Sequence, residues 1–86
     1  MGIKIILADD HKIIREGLRA LLEKEPDMEV VGEAGDGEVA IQEATRLMPD
    51  ILLMDISMPN LNGLKATKRL CSVRPNIKIL ILTRHT

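Results

Sequence analysis

Three short runs, apolar but for Lys4, Lys78 and a closing Asp55, constrain what this chain can fold into. They are residues 3–8 (Ile-Lys-Ile-Ile-Leu-Ala), 51–55 (Ile-Leu-Leu-Met-Asp) and 77–82 (Ile-Lys-Ile-Leu-Ile-Leu), each closed by polar or turn-forming residues. Short apolar runs with such boundaries read as strands buried on both faces. Strands of that kind belong to parallel sheets covered by helices. The segments between them fit. Ile13, Ile14, Gly17, Leu18, Leu21 and Leu22 recur at helical spacing among charged residues, which predicts an amphipathic helix over 11–24 that Pro26 ends. Residues 28–34 form a more polar strand, as expected of a sheet edge. Gly35-Asp36-Gly37 is a turn with Asp36 placed as an N-cap, and a second helix runs over 37–47 until Met48-Pro49-Asp50 closes it. A loop over 56–62, a third helix over 63–72 (Leu64, Thr67, Leu70 and Cys71 on one face) and an Arg74-Pro75-Asn76 turn lead to the fourth strand, 77–82. Strands alternating with helices imply parallel strands joined by right-handed crossovers, an α/β fold.

Residues 77–82 are as apolar as the first and third strands, so they read as a strand with neighbours on each side. The expectation is a fragment: residues 1–86 form one partial domain, with at least one further strand and its helices missing. An apolar strand edge left open is expected to pair with another chain, giving self-association through the fourth strand.

With 86 residues the chain makes one small domain, burying roughly 60–65% of the surface its unfolded form exposes. It has no Phe, Tyr or Trp, so Ile, Leu, Val, Met and Ala build the core. Base stacking on aromatic rings is thereby excluded. A net charge of −1, from 12 basic and 13 acidic residues, calls for neither nucleic acid nor an anionic membrane as partner. Single Cys71 allows no internal disulfide and no zinc spacing, which fits a reducing cytosol and a cytoplasmic location. No apolar run approaches the ~20 residues that span a bilayer, and no signal-peptide pattern is present.

The chemistry lies at the strand ends. Asp9 and Asp10 follow the first strand, and Asp55 ends the third. In a doubly wound sheet, ligands bind at the carboxyl ends of strands where strand order reverses, so neighbouring first and third strands would bring the three acids together. Crowded carboxylates repel, and a hard divalent cation removes that cost. A donor set of oxygens suits Mg²⁺, Mn²⁺ or Ca²⁺ better than zinc. Such an ion can orient a phosphoryl donor, and Asp55, single and on a core strand, is the carboxylate placed to accept phosphorus. The plainer reading is that Asp55 merely ends a strand and Asp9-Asp10 starts a helix, since Asp favours both positions. Two acidic strand ends in one small α/β chain weigh against it.

The Asp9-Asp10 pair, the segment Leu53-Met54-Asp55-Ile56-Ser57-Met58-Pro59-Asn60-Leu61-Asn62-Gly63, and Leu82-Thr83 together resemble the receiver domain of bacterial two-component response regulators. Asp10-His11 with Arg15 and Gly17, Val31-Gly32-Glu33-Ala34, and Pro49-Asp50 resemble the LuxR/NarL-type subgroup. The resemblance implies a flavodoxin-like parallel sheet of order 2-1-3-4-5, of which this chain holds 2-1-3-4 and lacks the fourth helix, fifth strand and fifth helix. It implies Asp55 as phosphoacceptor, Mg²⁺ bound by Asp10, Asp9, Asp55 and the Ser57 backbone carbonyl, and Thr83 as the switch hydroxyl. It implies a sensor histidine kinase as phosphoryl donor and DNA binding through a C-terminal domain outside this chain. The protein would take part in its own phosphotransfer without being a free-standing enzyme. Two departures stand out. The family's fifth-strand Lys has no counterpart, since Lys78 lies within the fourth strand, and Arg84 follows Thr83 where a small residue is common.

Other residues read more plainly. His11 either touches the acidic site or, on the plainer reading, starts or caps a helix, and His85 is a surface residue. Lys12, Arg15 and Arg19 form a solvated helix face or a kinase-docking surface. Gly35-Asp36-Gly37 is no phosphate loop. Ser57 and Thr83 lack a His-Asp relay, so hydrolase chemistry is a poor fit. A haloacid-dehalogenase-like phosphatase would want a second Asp two residues after the nucleophile, where this chain has Ser57.

Overall fold

The computed structural model describes residues 2–55, 68–69, 72 and 76–82. Strand β1 (Ile3–Ala8), helix α1 (Lys12–Glu23), strand β2 (Met28–Ala34), helix α2 (Gly37–Leu47), strand β3 (Ile51–Asp55) and strand β4 (Lys78–Leu82) follow in order. The four strands form one parallel sheet of order β2-β1-β3-β4. Of the predicted third helix, Lys68, Arg69 and Ser72 are helical, and its remaining positions lie outside the described residues.

The two helices cover opposite faces. Ile6, Ala8, Ala34, Leu52 and Met54 pack with Ala40, Ile41 and Ala44 of α2. Ile5, Leu7 and Val30 pack with Leu18 and Leu22 of α1. This alternation along β1 is the two-residue period of a strand covered on both sides. Ala40 and Ala44 are fully buried, so α2 approaches the sheet through small side chains. β2 passes close to the end of α2, where a Cβ at Gly32 would lie 2.8 Å from Leu47 Cδ1.

The helix ends are built locally. Asp36 caps α2 by accepting from the Val39 N–H at 2.9 Å, as its position predicts. Met48 ends α2 in the left-handed region at φ 51°, its N–H donating to the Ala44 carbonyl, and Pro49 prevents continuation. After α1 the Glu25 N–H still reaches the Leu22 carbonyl at 3.0 Å before Pro26 stops the run.

Two findings depart from the sequence pattern. β2 carries a bulge: Ile5 pairs with Val30 but Ile6 pairs with Gly32, leaving Val31 as the extra residue. The phase of β2 therefore flips, which places Glu33 beside Leu7 on the α1 face and Ala34 beside Ala8 on the α2 face. Second, β4 is not buried on both faces. Leu80 is 51% exposed and Ile79 and Ile81 are half-buried, because the two described helices pack on β1 and β2 rather than over β4.

Candidate functional site

The register of β1 against β3 builds the site. Ala8 pairs with Met54, so the next residues, Asp9 and Asp55, stand side by side, Asp9 just past β1 and Asp55 as the last residue of β3. Both are buried, at 2% and 1% exposure, at the carboxyl edge of the sheet. Asp10 is half-exposed at the foot of α1. One ligand atom each from Asp9, Asp10, His11 and Asp55 lies within 4.8 Å of all the others. The structure thus brings Asp9, Asp10 and Asp55 together. Ser57 and Thr83, the other expected site residues, lie outside the described residues, as do Arg84 and His85.

His11 is set against the acids, the less expected of its two readings. It is the N-cap of α1, yet its side chain caps nothing. Its Nδ1 lies 2.8 Å from Asp10 Oδ1 and 3.2 Å from Asp9 Oδ1, and its N–H donates to Asp9 Oδ1 at 2.8 Å. An imidazole beside two carboxylates gains more there than as a weak cap. Its adjacency to Asp9-Asp10 was the available signal.

Arg15 is likewise not a simple solvated face. Its Nε donates to Glu33 Oε1 at 3.1 Å and its Nη1 donates to the Asp9 carbonyl. Arg19 pairs with the same Glu33 and with Glu23. Burial pushes the Glu33 carboxyl up, but the hydrogen bonds and charges of Arg19 and Arg15 outweigh it and hold its pKa below the usual carboxylate range. Arg19 is raised in turn, first by its hydrogen bond with Glu33 and then by that with Glu23.

Three carboxylates and an imidazole in so small a space fit a divalent cation held chiefly through oxygen. The donors face the loop side of the sheet, where a ligand has access in open α/β folds.

A parallel sheet of this order with acids at the ends of β1 and β3 defines a flavodoxin-like receiver architecture. The family model for the response regulator receiver domain matches residues 5–86, and the chain belongs to that family. It is 46% identical over 81 residues to the transcriptional regulatory protein LiaR of Bacillus subtilis, covering 94% of this chain and 38% of that protein. It is 42% identical over 83 residues to the response regulator protein VraR of Staphylococcus aureus, covering 96% of this chain and 40% of that protein. Among solved structures, the response regulator domain of Thermotoga maritima CheB superposes with a TM-score of 0.93 at 37% identity, over 96% of this chain and 61% of that one. A LuxR-family two-component response regulator from Aurantimonas gives 0.93 at 38% identity, over 100% of this chain and 61% of that one. The subgroup likeness seen in the sequence accords with the LuxR family of the Aurantimonas regulator, and the chain spans less than half the length of the curated relatives. None of these likenesses supports self-association through the fourth strand. No helix among the described residues is long and apolar enough to cross a membrane.

Proposed function

We propose that this chain is the phosphoacceptor of a two-component response regulator, with Asp55 taking a phosphoryl group from a sensor histidine kinase. The observation that carries this reading is the buried Asp55 at the end of a core strand beside Asp9, in a chain of the receiver family. An oxygen of the Asp55 carboxylate attacks phosphorus, a P–O bond forms, the P–N bond of the donor phosphohistidine breaks, and the imidazole leaves. Asp9, Asp10, Asp55 and the Ser57 carbonyl would hold Mg²⁺, which orients the phosphoryl oxygens and offsets their charge. Asp9 has little freedom to rotate, because His11 donates to its Oδ1.

The added phosphoryl charge then draws the Thr83 hydroxyl inward and shifts a two-state equilibrium read by the rest of the regulator. The protein acts in the cytoplasm, and DNA is contacted through a C-terminal domain beyond residues 1–86. The domain takes part in its own phosphotransfer rather than turning over a separate substrate.

The test is intact-mass analysis after incubation with acetyl phosphate and Mg²⁺, using the protein as its whole coding sequence specifies. Wild type should gain one phosphoryl group, and Asp55→Asn or removal of Mg²⁺ should abolish the gain. An adduct that survives in Asp55→Asn moves the acceptor elsewhere.

A further inference from the structure

Arg15 lies on the α1 stripe that continues as Leu18 and Leu22 against the sheet. An arginine in that row is expected to turn out to water. Its side chain is only 18% exposed. One planar guanidinium reaches Glu33 at the end of β2 and the Asp9 carbonyl at the end of β1, from a helix that begins next to both.

Three local features aim this fork. The bulge at Val31 turns Glu33 onto the α1 face; without it, Glu33 would fall opposite Ala8 on the α2 side. Gly35 brings the loop after β2 close to the guanidinium, a Cβ there falling 3.4 Å from Arg15 Nη1, at the edge of ordinary contact. The Arg15 N–H donates to the His11 carbonyl at 3.0 Å, which sets the helix turn from which the side chain departs. The result is an Asp9 held at three points. Its N–H donates to the Ala34 carbonyl at 3.0 Å, its carbonyl accepts from Arg15, and its Oδ1 accepts from the His11 N–H at 2.8 Å.

We propose that Arg15 is a positioning residue for the cation site: its guanidinium, oriented by Glu33, fixes the Asp9 backbone so that the carboxylate is in place before a divalent ion arrives. The proposal rests on the reading of Asp9, Asp10 and Asp55 as that site. The ordering of Asp9 is then complete in the folded protein, and binding need not supply it. Groups that orient metal ligands from the next layer out typically contribute about 10- to 100-fold in metal affinity. Lysine cannot replace Arg15, because one ammonium on a flexible stem does not reproduce a fork that spans two acceptors.

The experiment measures two things on wild type, Arg15→Gln, Arg15→Lys, Glu33→Gln and Arg19→Gln. One is the Mg²⁺ dissociation constant by calorimetry. The other is amide hydrogen exchange at Asp9 and His11 in the metal-free protein. Arg15→Gln should weaken Mg²⁺ by about 10-fold and speed exchange at both amides, with Arg15→Lys close behind. Glu33→Gln should give a smaller change in the same direction. Arg19→Gln loses ion pairs with Glu33 and Glu23 but does not reach Asp9, so it should leave both readouts at wild-type values. Wild-type values in Arg15→Gln, or equal losses in Arg19→Gln, overturn the proposal. Should Arg15→Gln fail to fold, Arg15→Lys against Arg19→Gln decides by the same criterion. A wild type that binds no Mg²⁺ overturns the cation reading, and the exchange comparison still decides whether Arg15 holds Asp9.

Discussion

Replacing Asp55 with Asn removes one charge from the most crowded part of the molecule while keeping its shape and one acceptor oxygen. The ligand atoms of Asp9, Asp10 and Asp55 all lie within 4.8 Å of one another. At that separation two unit charges repel by about 3.5 kcal/mol at an effective dielectric constant near 20. His11 faces both Asp9 and Asp10 and offsets part of this, and half-exposed Asp10 is screened by water. Asp55 also gives up the cost of a charge held at 1% exposure. The metal-free variant should therefore be more stable than wild type by about 1–3 kcal/mol. For a domain of this size that raises Tm by roughly 5–20 °C. The assay is thermal unfolding followed by far-ultraviolet circular dichroism, because a chain without Trp or Tyr offers no intrinsic fluorescence. In EDTA the variant should melt above wild type. In Mg²⁺ at 100 times its dissociation constant, wild type should gain about 2.7 kcal/mol and the variant less, so the gap narrows or reverses. A variant that melts below wild type in EDTA would refute charge crowding. Equal Mg²⁺ shifts in the two proteins would show that Asp55 is not a ligand.

The ion pairs of Glu33 should give way in acid. Its folded pKa is depressed, so its contribution is complete above the unfolded value near 4.3 and is lost as pH falls through the folded value. The stability difference between wild type and Glu33→Gln should be about 0.5–1 kcal/mol at pH 7 and vanish below the folded pKa; a difference that grows on acidification contradicts the sign. Asp36→Ala removes the cap on the Val39 N–H and should cost about 1 kcal/mol, read as a fall of about 4–8 °C in Tm. Met48→Gly relieves a left-handed residue at φ 51° that is 59% exposed. Relief of about 1–2 kcal/mol less the added freedom of the unfolded chain leaves a net gain of about 0.5–1 kcal/mol, and urea unfolding with a lower midpoint would contradict it.

The parts of this molecule that were legible in sequence are those written in local chemistry. The apolar runs 3–8 and 51–55 locate β1 and β3 because strands buried on both faces need no alternation. Asp36 locates the start of α2 because a short acceptor three residues before a helical N–H has one geometry to adopt. Asp9 and Asp55 locate the site because an acid that ends a buried strand must sit at the rim. What stayed hidden depends on register. The same run rule marked 77–82 as a strand with neighbours on each side, but composition does not say how much of it the described helices cover, and among the described residues Leu80 is half-exposed. Nor does the string Val30-Val31-Gly32 announce which residue is the extra one, and that choice decides the face on which Glu33 appears.

That hidden register connects the fold to the site. A thin-margined domain gathers like charges at one rim, which costs stability unless a cation is present. Leaving the acids loose would spare the repulsion but would lose the arrangement a cation needs on arrival. The structure instead holds Asp9 through the Ala34 carbonyl, the His11 N–H and the Arg15 guanidinium, and sets the His11 imidazole beside its carboxylate. The guanidinium that grips the Asp9 carbonyl is itself paired with Glu33, so it holds Asp9 without entering the space between the three carboxylates that we propose for a cation. A positive side chain aimed directly at the three carboxylates would have relieved the repulsion more strongly, and would have competed with the ion. On the proposed reading, routing the charge of Arg15 through Glu33 and a backbone carbonyl orders Asp9 while leaving its carboxylate available.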